Sequence, residues 1–68
     1  MNLLALGRAA FLEEIVGWTE EAVRDRYGGG PVRITKRDNE YLLITMDNRV
    51  NRLNLWVEAG LVTRAWYG

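Results

Sequence analysis

The run Leu43-Ile44-Thr45-Met46-Asp47-Asn48-Arg49-Val50-Asn51-Arg52-Leu53-Asn54-Leu55 constrains the fold more than any other part of the chain. It starts apolar, crosses a polar segment carrying two arginines, and ends in strict alternation. Arg52, Asn54, Trp56 and Glu58 fall on one side of an extended strand, and Leu53, Leu55 and Val57 on the other. Met46 sits between Thr45 and Asp47. Two readings follow. The run is either the middle of a sheet with Met46 in the core, or a loop that offers Met46 to a partner and is tied back by arginine. Periodicity alone favours the first.

The rest of the chain must supply a core for that strand. Sixty-eight residues make one domain, residues 1–68, with a small core. There is no cysteine and no histidine. Disulfides, thiolate metal sites, and Ser-His or Cys-His nucleophilic catalysis are therefore not expected, and no metal or cofactor is implied. A reducing compartment is compatible with this composition.

Nine basic residues balance nine acidic ones. That gives no general attraction to nucleic acid or to an anionic membrane. Lys36 is the only lysine, and arginine suits fixed, forked hydrogen bonds better than diffuse steering. The apolar start, residues 1–7, is too short to span a membrane and lacks the pattern of a secretion signal, so a soluble chain is expected.

Residues 3–16 carry Leu3, Leu6, Ala10, Phe11 and Ile15 at roughly helical spacing, but Gly7 and missing caps leave an extended arm open as the alternative. The best helix signal follows. Thr19 is placed to cap, Glu20 and Glu21 suit the positive end of the helix dipole, and Arg24 and Arg26 suit the negative end. Trp18 and Val23 occupy the two positions of a hydrophobic staple, and Gly28 can take the left-handed cap. Gly28-Gly29-Gly30-Pro31 lacks the lysine of a phosphate loop and follows a helix, so it is a linker.

Residues 32–36 alternate as a strand, residues 51–57 form the second strand, and Ala59-Gly60 turns the chain into an antiparallel return over residues 61–67. Trp56 and Trp66 come near each other on that hairpin. Residues 41–45 are ambiguous. They are either part of the loop or a strand paired with residues 32–36 through Asp38-Asn39, which would give one helix and a four-stranded antiparallel meander.

The ordered set Thr45-Met46-Asp47, Arg49, Arg52-Leu53-Asn54, Val57, Gly60, Val62-Thr63-Arg64 and Gly68 resembles the potato inhibitor I family, nearest its bacterial and fungal elastase- and subtilisin-inhibitor relatives. Ile15-Val16-Gly17 followed by Thr19-Glu20-Glu21-Ala22 matches the turn that opens the family's helix. The resemblance spans about residues 9–68.

The resemblance implies an α+β fold: one helix on a small mixed sheet, the first two strands parallel, joined by a long exposed binding loop. It implies a substrate-like inhibitor of a subtilisin- or chymotrypsin-like serine protease with an apolar specificity pocket. The reactive loop would comprise Ile44, Thr45, Met46, Asp47, Asn48 and Arg49, with the scissile bond at Met46-Asp47 and with Arg52, Asn54 and Gly68 bracing it. Met46 suits an apolar pocket, not a trypsin-like one with an acidic base. A monomer with no catalytic residues is implied.

Four departures stand out. The interval from the first strand to Met46 is longer than in the family. Arg37-Asp38-Asn39-Glu40 replaces the Pro-Gly with which the family's loop begins. Asn54 stands where plant members often carry a second bracing arginine. The relatives' cysteine pair is absent, with Tyr67 at the second position. Arg33, on the first strand, is expected to lie away from the loop.

The competing reading is a non-inhibitory protein-interaction module on the same fold. An enzyme has little support, because the pairs Glu13/Glu14 and Glu20/Glu21 are adjacent helical residues that point apart.

Overall fold

A computed structural model describes residues 3–68, with side chains from Gly7 onward. Met1, Asn2 and the side chains of residues 3–6, with Leu3 and Leu6 of the helical spacing among them, lie outside the described residues. The chain runs α1 (Leu3–Glu14), α2 (Glu20–Arg26), β1 (Val32–Arg37), β2 (Glu40–Tyr41), β3 (Leu53–Glu58) and β4 (Leu61–Tyr67). This is an α+β arrangement with two helices where one was expected: the N-terminal segment is helical and not an extended arm.

Helix α2 forms for the local reasons given above. The Thr19 hydroxyl accepts from the Ala22 N–H at 3.2 Å, and Gly28 takes φ 63° beyond the Tyr27 cap. Trp18 and Val23 both pack in the core, Val23 fully buried. Glycine is required at position 30 because a Cβ there would meet the Tyr27 ring at 2.6 Å. Phe11 of α1 stacks on Tyr27 with centroids 5.8 Å apart, which joins the two helices.

The sheet order is β2-β1-β3-β4. β1 and β3 are parallel, whereas β3 and β4 form an antiparallel hairpin. The parallel pair overturns the antiparallel meander. A short hairpin does exist at Asp38-Asn39, but only Glu40 and Tyr41 are paired strand residues, and one further bond, from the Leu42 N–H to the Thr35 carbonyl at 3.1 Å, ends the contact with β1. The second main strand starts at Leu53, two residues later than expected, because Asn51 lies in a turn.

Ile15, Val23, Ile34, Leu53, Leu55, Val57 and Val62 make the buried core, with Phe11, Leu12, Trp18 and Tyr27 packed against it. Fully burying a side chain such as Leu53 or Leu55 contributes about 1.5–3 kcal/mol. The alternation of β3 thus sends its leucines toward the helices. The opposite face carries two cross-strand rows. Arg33, Asn54 and Trp66 stand in register in one, and Lys36, Trp56 and Arg64 in the other. Trp56 and Trp66 meet edge to face at 6.1 Å, as cross-strand packing predicts. Residues 42–52 connect β2 to β3 across the end of this face that holds Arg33 and Asn54.

Candidate functional site

Among the residues proposed for the loop, Met46 is 96 % exposed and Ile44 about half so. Leu43 and Val50, on either side, are exposed apolar side chains. Thr45, Asp47, Asn48 and Arg49 are exposed, and none of residues 44–49 lies in a helix or strand. Met46 therefore projects, and the core-methionine reading is overturned. A solvent-facing methionine flanked by fixed neighbours needs an explanation in the hydrogen bonds around it.

Arg52 supplies part of that explanation. It is 8 % exposed. Its Nη2 donates to the Asp47 carbonyl at 2.9 Å, Nη1 to Asp47 Oδ2 at 3.3 Å, and Nε to the Gly68 main-chain oxygen at 2.9 Å. Return bonding closes the ring, since the Gly68 N–H donates to the Arg52 carbonyl at 3.0 Å. Arg52 precedes the inward Leu53, so strand alternation turns its guanidinium to the face away from the helices and toward residues 45–48.

Asp47 is held from three sides. The Thr45 hydroxyl donates to Oδ1, and Arg49 Nε donates to Oδ2 at 3.0 Å beside Arg52. The Thr45 hydrogen bond first, then those from the arginines, holds the Asp47 carboxyl well below the usual carboxylate range. Arg49 is largely exposed, so its pair with Asp47 is a surface contact.

Asn54 has no exposed surface. Its Nδ2 donates to the Gly68 oxygen at 3.1 Å and to the Trp66 carbonyl at 3.4 Å, and its Oδ1 accepts from Arg33 Nε at 2.7 Å. A Cβ at Gly68 would lie 3.2 Å from Asn48 Oδ1 and 3.6 Å from Asn54 Nδ2, so a side chain there would crowd both asparagines. Asn48, Arg52 and Asn54 thus converge on Gly68.

Arg33 corrects the sequence reading. It was expected to lie away from the loop, yet its Nη1 reaches the Thr45 carbonyl at 3.3 Å and the Thr45 hydroxyl at 3.5 Å. The signal was absent from local pattern because it depends on the parallel register Arg33↔Asn54 across the sheet. Two further tethers likewise join residues distant in the chain. Arg8 of α1 donates to the Val50 carbonyl while lying 4.1 Å from the Tyr67 ring centroid, and the Tyr27 hydroxyl donates to the Asn51 carbonyl.

No group of acidic side chains among the described residues could hold a metal ion, and no helix among them is long and apolar enough to cross a membrane. Comparison with family models, curated proteins and solved structures returns no match.

Proposed function

We propose that the chain is a substrate-like inhibitor of a serine protease with an apolar specificity pocket, and that residues 43–50 form its long exposed binding loop. One observation carries the reading. Met46 is free to enter a pocket, while Thr45 on one side of it is tied to the half-buried Arg33 and Asp47 on the other to the buried Arg52. A loop held in its bound shape loses little conformational entropy on docking, and that is the condition for tight binding by so few residues.

Met46 presents a flexible apolar side chain suited to the deep pockets of subtilisin- and chymotrypsin-like enzymes. The protease would attack the Met46 carbonyl. The amine end that departs, Asp47, stays bound to Arg52 and beside the acyl group, so the bond is remade faster than water replaces it. The fold needs no catalytic residue or cofactor of its own for this.

The test is a titration of the protein against subtilisin and chymotrypsin, followed by mass spectrometry of long incubations. Stoichiometric loss of protease activity with slow cleavage confined to Met46-Asp47 is the expected result. Rapid cutting at many sites, or no binding to either enzyme, would refute inhibition and leave the protein-interaction module on the same exposed segment.

A further inference from the structure

We propose that Arg33 is a second loop brace, delivered from β1 and seated by Asn54, which holds the acyl side of the Met46-Asp47 bond independently of Arg52. The inference rests on the inhibitor reading for its consequence, although not for its geometry.

Asn54 occupies the position where a second arginine would stand on β3, and its amide is too short to reach the loop. It orients its neighbour instead. Arg33 and Asn54 are partners in the parallel register, and the 2.7 Å bond from Arg33 Nε to Asn54 Oδ1 fixes the guanidinium plane. That leaves Nη1 directed at Thr45. The seat is itself rigid, because Asn54 is fully buried and its Nδ2 is spent on the Gly68 and Trp66 main-chain oxygens. The Gly68 oxygen is also the acceptor of Arg52 Nε. Both arginines are therefore referred to one fixed point, and they reach opposite sides of one peptide bond.

The target atom fits the role. A segment bound in extended form along a protease edge uses the main-chain groups of alternate residues, here Ile44 and Met46. The Thr45 carbonyl then faces the inhibitor's own body, where Arg33 takes it without competing with the enzyme. Hydrolysis adds one water across Met46-Asp47 and gives a Met46 carboxylate and an Asp47 amine, while resynthesis expels that water. After the cut, Thr45 and Arg33 lie on the N-terminal fragment, and Asp47, Arg52 and Asn54 on the C-terminal one. The Arg33–Asn54 bond crosses between the fragments and keeps the new carboxylate opposite the new amine.

The experiment compares Arg33→Met, which keeps the aliphatic stem, and Arg33→Lys with Arg64→Met. Arg64 stands on the same sheet face over Trp56 and Trp66 and has no bond to the loop. Two readouts are taken. The first, with catalytic subtilisin, is the ratio of cut to intact protein at equilibrium, approached from both directions. The second, without protease, is the backbone order of residues 44–46 and 48–50 by nitrogen relaxation.

Loss of a charge-assisted hydrogen bond shifts the ratio toward cut protein by roughly tenfold in Arg33→Met. Arg33→Lys should fall between, and Arg64→Met should match the parent. In the free protein, Arg33→Met should lower order parameters at residues 44–46 from about 0.85 toward about 0.6, with residues 48–50 unchanged. Unchanged order at 44–46 in Arg33→Met overturns the brace, as does an equal loss in Arg64→Met. A parent protein that subtilisin does not bind, combined with the selective loss of order, refutes the inhibitor reading and retains the brace.

Discussion

Arg52→Ala separates loop order from fold stability. The substitution removes two well-formed hydrogen bonds from a nearly buried guanidinium, to the Asp47 carbonyl and to the Gly68 oxygen, both at 2.9 Å. Bonds to charged donors contribute roughly 1.5–3 kcal/mol each. Asp47 is exposed, so its carbonyl regains water when the arginine goes, and the Gly68 oxygen keeps its bond from Asn54 Nδ2, so the net fall in folding stability should stay near the low end, about 1–3 kcal/mol. Binding should suffer more. Freeing Met46 and Asp47, with Thr45 still held by Arg33, means refixing two backbones on docking at about 1–2 kcal/mol each. The forfeited amount, about 2–4 kcal/mol, corresponds to roughly a 30- to 10³-fold weaker Kd. Chemical denaturation gives the stability change, and subtilisin inhibition gives the affinity change. Arg24→Ala is the control, since Arg24 makes only an exposed pair with Glu20 on α2. Loss of affinity no greater than the loss of stability, or an affinity unchanged by Arg52→Ala, would refute the bracing argument.

Three further outcomes follow from the same structure. Met46→Asp should leave circular dichroism and stability unchanged and abolish binding to apolar-pocket proteases, because a carboxylate entering such a pocket loses water without a partner; an unfolded variant would contradict the exposure of Met46. The Asp47 carboxyl is depressed in the folded state, so its contribution to loop order is present above the unfolded value of about 3.9 and is lost as pH falls through the lower folded value. A carbon-detected titration should accordingly find its midpoint well below the usual range, and Thr45→Val should move that midpoint up; a midpoint in the ordinary range would show that Thr45 does not hold the carboxylate. Ala59→Asn should raise Tm, because Ala59 sits at φ 51° in a two-residue turn with Gly60 at φ 79°, where Asn-Gly is the favoured pair. Relieving about 1 kcal/mol of the left-handed penalty gives roughly 4–8 °C by thermal unfolding, and an unchanged Tm would count against strain at that turn.

The parts legible in the sequence are those whose causes are local. Thr19, Glu20, Glu21 and Gly28 fix α2 within one stretch of chain, and Ala59-Gly60 fixes the last hairpin. The alternation of residues 52–58 separated Leu53 and Leu55 from Arg52 and Asn54, and the two sides do face different layers. Burial on the second side did not follow from alternation, since it depends on distant partners: Arg52 meets Asp47 and Gly68, and Asn54 meets Arg33, Trp66 and Gly68. Helix α1 was half legible: Phe11 and Ile15 have the right spacing, but its packing depends on Tyr27 and β4. Arg33 was misread because its partners, Asn54 and Thr45, lie 21 and 12 residues away and meet it only once β1 and β3 pair in parallel.

That pairing also bears on the segment after β1 and on position 54. The residues that follow β1 form the Asp38-Asn39 turn and β2, which fold back on β1 and leave the connection to β3 starting from Leu42. The turn is held in place by the Asp38 carboxylate, which accepts from the Ala59 N–H at 2.9 Å, and by the Asp38 N–H, which donates to the Val57 carbonyl at 2.7 Å. These residues therefore end in structure at the far end of the sheet, away from Thr45. In the row Arg33, Asn54, Trp66, neighbouring strands stand only about 5 Å apart, and like charges side by side there destabilise a sheet. An arginine at position 54 would face Arg33 across that gap. With Arg33 on β1, a neutral side chain at 54 that both accepts and donates removes the repulsion and seats the guanidinium. Asn54 and Arg33 are thus one arrangement, in which the charge near Thr45 is delivered from β1 and seated by a neutral side chain on β3.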